Sequence, residues 1–443
     1  MERILIKDLG EHIGKSVSIA GWVSVRRDQG KMVFFDFRDR TGTVQGVVLP
    51  SEELAMAVAK DIRAEYVVRV GGTVNARPPK NVNEGVLNGN IELQVQAIEV
   101  LAAAEPLPFD MSLTGYNLDL PTELDHRALT LRHPKNQAIF KVQAIIIDSF
   151  REFMKSQDFF EFQAPAMVPA TAEGGAEVFP IKYFEHKAYL SQSPQLYKQI
   201  VMTAFERVFS VNKIFRAEPS QTTRHLTEVV SLDAEMAFID SWTDVRDMAE
   251  NTVRFILDSV KTKCVAELTL LGAEVPTMIE KTPTMSLAEA FAKLGLPADK
   301  DLNPEQERKL CEVIKAETGS DFVFVYGYPT KQKPFYVYPS KENPDVNEGV
   351  DLLCRGVEWL SGGRRINDYK QLMEHVDEWG MDPKKIEMFL EAFRYGAPPE
   401  GGFAFGAERM TMQILGLKNV REASMFPRDM NRIDGTLSTD KKE

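Results

Sequence analysis

"FRAEPSQTTRHLTEVVSLDAEMAF", residues 215–238, is the stretch on which the fold turns. Side chains two apart on a strand point the same way, so Arg216 and Glu218 share one face, as do Asp233 and Glu235 on the returning strand. The loop between them holds Arg224 and His225. A solvated hairpin would carry such charges too, but Phe215, Val229, Leu232, Met236 and Phe238 make the flanks too apolar for an exposed ribbon. The reading is a packed hairpin.

Downstream, "GGFAFGAERM" (401–410) is a glycine-bracketed apolar run that ends in adjacent Glu408 and Arg409. Alone it reads as a core strand running into a solvated helix start. Upstream, Pro134 suits a first helical position, and Ile139, Val142, Ile146, Phe150 and Phe153 recur at spacings of three and four. That pattern predicts an amphipathic helix of about twenty residues. It runs into the extended "FFEFQAPAMV", stopped by Pro165. Further strand-like runs, "RVFSVNKIFRAE" and "DFVFVYGYP", are separated by helices and long loops, which suits an α+β domain with a mainly antiparallel sheet flanked by helices.

The first hundred residues differ. Five β-like runs ("SVSIAGWVSV", "MVFFDFR", "TVQGVVL", "EYVVRVGGTVNA", "IELQVQAIEVL") with one helical stretch after the third follow the order of an N-terminal five-stranded OB-fold β-barrel. We expect a barrel domain over 1–104, a proline-bearing linker over 105–132 with Pro106, Pro108 and Pro121, and a second domain over 133–443; the tail "STDKKE" reads as disordered.

Composition narrows the function classes. With 44% hydrophobic and 27% charged residues in 443, the chain is an ordinary globular one, and no apolar run approaches the roughly 20 residues that span a bilayer. The N-terminal stretch lacks a signal-peptide apolar core, and Cys264, Cys311 and Cys354 are too scattered for a zinc site or disulfide framework, so a reduced, cytoplasmic protein is expected. The net charge of −12 argues against a nonspecific nucleic-acid binder. Residues 1–104 are nearly charge-balanced and leave room for a local binding face.

Taken in order, the helix and strand ending at Pro165, "FRAE…TTRHLTE" and "GGFAFGAERM" resemble the three motifs of class II aminoacyl-tRNA synthetases. The chain looks most like aspartyl-tRNA synthetases of the short archaeal and eukaryotic type, from about residue 14 to 433. The resemblance implies an N-terminal anticodon-binding OB-fold and a class II catalytic domain. ATP and Mg²⁺ would be the cofactors, with L-aspartate and tRNA(Asp) as substrates and tRNA(Asn) as an open second acceptor. It also implies a homodimer paired through the Pro165 region, with no membrane partner.

Residue by residue, it implies Arg216, Glu218 and Arg409 as the catalytic set. Arg216, Glu218, Arg224, His225, Glu358, Gly406 and Arg409 would bind ATP, with Gly401 and Gly402 letting it approach the backbone. Asp351, Glu358 and Ser361 match the magnesium positions, whose oxygen ligands suit that ion. Arg365 and Lys198 match two cations at the substrate's side-chain carboxylate; Glu173, Gln195, Arg216, Asp233 and Ser361 complete the aspartate site. Phe34, Gln45 and Glu92 fall where the family reads anticodon bases by stacking and edge contacts. Three positions depart from or do not resolve the pattern: Val229 stands where many relatives stack a Phe on adenine, leaving His225 as a substitute; Asn367 replaces a His; and Gln29 leaves the choice between tRNAs open. Aspartate and asparagine are nearly isosteric, so charge must separate them, and the two cations favour aspartate. The alternatives are an asparaginyl enzyme, an amide-forming paralogue, and a single-strand-binding OB module with an inert partner domain.

Overall fold

The computed structural model describes residues 2–169, 178–217 and 222–437, in two compact units, 1–118 and 119–443. In the first, β1 (Ser16–Gln29), β2 (Met32–Asp39), β3 (Gly42–Val48), β4 (Val67–Ala76) and β5 (Ile91–Ala102) close a barrel in the order β1-β2-β3-β5-β4. Only the β3–β5 pair is parallel. Alternation decides what fills it: Val33, Phe35 and Phe37 point inward with Val44 and Val48, while Phe34 and Asp36 face out. The helix Glu53–Ala59 lies between β3 and β4 in sequence, as expected.

The second unit is built on an eight-stranded sheet. Its strands are β6 (Phe160–Glu161), β10 (Arg207–Phe215), β11 (Glu228–Ala237), β12 (Thr284–Ser286), β13 (Phe322–Tyr326), β14 (Gly349–Cys354), β15 (Val357–Arg364) and β16 (Glu400–Gly406). They run in the order β12-β13-β14-β15-β16-β11-β10-β6, antiparallel inside and parallel at both edges. A separate sheet holds β7 (Met167–Val168), β9 (His186–Leu190) and β8 (Pro180–Tyr183). The helix Pro134–Ser156 buries Ile139, Val142, Ile146, Phe150 and Met154 in one core with the helix Trp242–Lys263 and with Phe209, Leu232 and Phe405 of the sheet. Burying one Phe or Leu there contributes roughly 1.5–3 kcal/mol. That core covers one face of the sheet and leaves the other for the site.

Four expectations need correcting. Residues 119–132, read as linker, form two short helices of the second unit, held where Arg127 donates to the carbonyls of Ser424 and Met425. Phe153 is only partly buried, against Phe255, and Met154 takes its place in the core. Phe238 is 69% exposed at a left-handed φ of 58° that ends the strand. β10 stops at Phe215, so Arg216 follows the strand, although its N–H still reaches the Thr227 carbonyl at 2.9 Å.

Candidate active site

Register assembles the site. Asp351, Ser361, Ala404, Asp233 and Ser210 are directly paired across β14, β15, β16, β11 and β10, forming one row on one face. The next row is Gly349, Gly363, Gly402 and Glu235. Gly402 is required here: a Cβ would lie 2.2 Å from the Glu235 carboxylate and 2.1 Å from the Ala234 carbonyl. Gly401 faces the opposite way, where a Cβ would meet Val245 and Ile239, so its size serves helix packing and not a nucleotide. A Cβ added at Gly406 would meet the Arg409 side chain first, at 3.8 Å.

Glu358 and Ser361 are three apart on β15, a spacing that sends side chains to opposite faces of a regular strand. A bulge inserts one extra residue there, since Asp351 pairs with Ser361 but Leu353 with Glu358. Both oxygen groups therefore line the cleft, while Trp359 is buried.

The deepest part of the face is a buried ion cluster. Lys198 stands on the helix Gln195–Phe205; its Nζ is 3.2 Å from Asp233 and 3.0 Å from Glu235. Arg365 donates to Glu235 at 2.8 Å and to the Gly402 carbonyl at 2.9 Å. All four side chains are at most 5% exposed. Burial pushes the Glu235 carboxyl up, but Arg365 and Lys198 outweigh it and hold it below its ordinary value. The two cations are thus already paired in the free protein, and their count alone does not set selectivity. Beside them Glu400, fully buried, is pushed well above the carboxylate range by burial and by the charge of Glu235. Asn367 donates to the Ala397 carbonyl at 3.2 Å.

The open end of the cleft is lined by Arg216, Arg224, His225, Val229, Glu358, Ser361, Gly406 and Arg409. Arg216 is exposed to it. Arg409 approaches the Glu358 carboxylate at 3.6 Å and its carbonyl at 3.3 Å. Its neighbour Glu408 turns inward and accepts the Val230 N–H at 3.0 Å, and burial raises its carboxyl to about 7. The "ER" pair is therefore divided between the core and the cleft. Arg224 is held by Glu307 at 3.2 Å, and burial, with Glu358 nearby, raises Glu307 to about 7. Glu358 keeps 39% of its side-chain surface open, yet its place in the cleft and Asp351 beside it push its carboxyl up against the pull of Arg409 and Lys333. Glu173 and Glu218 lie outside the described residues.

The donor set at Asp351, Glu358 and Ser361 is all oxygen, on paired strands, with two carboxylates. It fits a hard cation that takes its remaining ligands from phosphate and water, the habit of Mg²⁺. Among the described residues no group of three or more His, Cys, Asp or Glu side chains could hold a metal on its own. Lys333 Nζ reaches Asp351 at 2.7 and 2.9 Å and lies 3.4 Å from Ser361 Oγ. Sequence reading missed Lys333, Glu307 and Glu400, whose partners are distant in the chain. It could have found Gln199, which shares a helix face with Gln195 at a spacing of four.

On the barrel, Phe34 and Gln45 share the outer face, Phe34 opposite Val47 and Gln45 opposite Asp36. Asp36 is paired in a fork with Arg27 at 2.8 Å twice. Glu92, partly buried, pairs in register with Asn75 and is 4.0 Å from Arg77. Gln29 is exposed at the end of β1.

A family model for tRNA synthetases class II (D, K and N) matches residues 119–430, and one for the OB-fold nucleic acid binding domain matches 17–101. The aspartate–tRNA(Asp/Asn) ligase of Deinococcus radiodurans is 42% identical over 98% of this chain and 99% of its own. The aspartate–tRNA(Asp) ligase of Pyrococcus horikoshii is 39% identical over 95% and 96%. Among solved structures, the asparaginyl-tRNA synthetase of Pyrococcus horikoshii complexed with asparaginyl-adenylate is similar with a TM-score of 0.89 at 33% identity, over 98% of this chain and 99% of that one.

Proposed function

Because this chain belongs to the class II tRNA synthetases of the aspartate, lysine and asparagine group, whose members are ATP-dependent ligases with an OB-fold, we propose that it activates L-aspartate with ATP and transfers it to tRNA(Asp). The observation that carries the choice of amino acid is the placement of Lys198 and Arg365, not their number: both are fixed by the same buried Glu235 on the site face of the sheet. A fixed guanidinium and a fixed ammonium group in a buried site suit a ligand carboxylate, and Glu235 keeps both positioned before it arrives.

Activation brings two anions together, the aspartate carboxylate and the α-phosphate of ATP. Positioned cations do more for this step than a general base. Arg216 bridges the two oxyanions, Arg409 and Arg224 take the outer phosphates, and Arg224 leaves Glu307 to do so. Asp351, Glu358 and Ser361 would hold Mg²⁺, which when bound neutralises phosphate charge. Lys333, already bonded to Asp351, keeps that carboxylate oriented. On the barrel, Phe34 stacks on an anticodon base, and Gln45 and Glu92 contact base edges. The chain acts as a homodimer through the 160–167 face, where Phe160 and Phe205 stack at 4.3 Å while 47% and 50% exposed.

The test is aspartate-dependent ATP–pyrophosphate exchange against the same assay with asparagine, followed by charging of purified tRNA(Asp) and tRNA(Asn). Exchange driven by asparagine and not aspartate overturns the reading. Relatives named for tRNA(Asp) alone and for both tRNAs stand at 38–42% identity, so charging of the two decides acceptor breadth.

A further inference from the structure

Behind the proposed substrate pocket runs a buried chain of three polar side chains. Gln195 is 4% exposed, and Gln199 and Glu400 are fully buried. Gln195 Nε2 donates to Gln199 Oε1 at 3.0 Å, and Gln199 Nε2 donates to Glu400 Oε1 at 2.6 Å. A primary amide has a donor end and an acceptor end; Glu400 meets Gln199 through Oε1 and turns its Oε2 away, where burial beside the Glu235 carboxylate places the shared proton, so Oε1 is left to Gln199 as an acceptor. Glu400 therefore decides which way both amides point. With the Gln199 NH₂ committed to Glu400, its carbonyl must face Gln195, the Gln195 NH₂ must face back, and the Gln195 carbonyl oxygen is the end left for a ligand. Reversing either amide would set two donors or two acceptors against each other in a space without water, which costs about 1–3 kcal/mol.

We propose that Glu400 is a positioning residue which, through Gln199, makes Gln195 present its oxygen to the α-ammonium group of the amino-acid substrate. The inference rests on reading the pocket as an amino-acid-activating site. It adds what selects the ammonium end, where Lys198 and Arg365 concern the carboxylate end. A glutamine at 400 offers either polarity, so Glu400→Gln, nearly isosteric, releases the orientation while keeping the volume.

The experiment compares wild type, Glu400→Gln, Gln199→Leu and the double variant in ATP–pyrophosphate exchange. Inhibition by succinate, which has both carboxylates of aspartate and no ammonium, is measured alongside. The expected result for each single variant is a KM for aspartate raised about tenfold or more, with kcat and the KM for ATP within about threefold and the succinate inhibition constant unchanged. In the Gln199→Leu background, Glu400→Gln should have no further effect, because its route to Gln195 is already cut. An unchanged KM overturns the proposal. So does an equal loss of aspartate and succinate binding, which marks a collapsed pocket, and so do effects that multiply in the double variant. If Glu400→Gln does not fold, Gln199→Leu alone carries the aspartate-against-succinate comparison. A wild-type enzyme that ignores aspartate refutes the parent reading instead. The relay is then read with asparagine and its counterpart without the amino group, succinamate, against the same outcomes.

Discussion

The sheet face of the second unit and the outer face of the barrel both gather polar side chains, but they hold them in opposite ways. In the sheet, Lys198, Asp233, Glu235 and Arg365 are desolvated and locked to one another. On the barrel, Arg27 and Asp36 pair while 42% and 28% exposed, and Phe34 lies between core and water. A charge removed from the first strands a buried partner; one removed from the second is replaced by solvent. The difference suits the two chemistries proposed for these faces: a small anion needs a rigid, dry pocket, whereas a single strand needs an accessible platform.

The largest break in that contrast is Arg365→Leu. It leaves Glu235 without a main cation, so stability should fall by about 3–5 kcal/mol and aspartate-dependent exchange by orders of magnitude. Chemical denaturation and exchange kinetics on one preparation measure both, and an unchanged aspartate KM means the carboxylate is bound elsewhere. Arg216→Ala comes next: being exposed, it should spare the melting temperature while lowering exchange by about 3 kcal/mol, a hundredfold or more. Activity within threefold of wild type defeats its assignment.

Glu307→Gln sharpens the comparison through pH. Burial raises Glu307 from 4.5 to about 7 in the folded state, so between those values the folded protein holds a proton that the unfolded chain has lost. Its contribution is therefore fully present below pH 4.5 and is lost as pH rises through about 7, by up to about 3 kcal/mol. Melting curves from pH 5 to 8 should fall more steeply for wild type than for Glu307→Gln, and parallel curves refute a neutral Glu307. On the barrel, Phe34→Ala should weaken tRNA charging by about 1–3 kcal/mol and leave tRNA-independent exchange intact. An early melt with lost charging would assign Phe34 to the core. The smallest effect belongs to Arg27→Ala, whose exposed pair should contribute about 1 kcal/mol or less to stability, vanishing in high salt. A salt-independent loss above that figure would show the barrel face to be as desolvated as the cleft.

The relatives add a second lesson. Overall shape does not separate the two amino acids: an asparaginyl enzyme is similar at a TM-score of 0.89, while a relative at 42% identity is an aspartate ligase. The overall fold therefore does not carry the discrimination; among the polar side chains of the cleft, Lys198 was legible from its motif while Glu400 and Lys333 were not.

Periodicity and motif order were enough for the barrel, the long helix and the hairpin of β10 and β11, because strand alternation and helix spacing are local properties of the chain. The same alternation separated Phe34 from Phe35. It failed where the backbone departs from regularity: Glu358 and Ser361 share a face only through a bulge, and Arg216 lies past the end of its strand. Tertiary structure alone decided which charges meet. Lys333 finds Asp351 across 18 residues, Lys198 finds Asp233 across 35, Arg365 finds Glu235 across 130 and Gln199 finds Glu400 across 201. Each pair depends on strand order and register, and in water these groups would be solvated separately. Only the desolvated sheet face, closed by contacts remote in sequence, makes them one site.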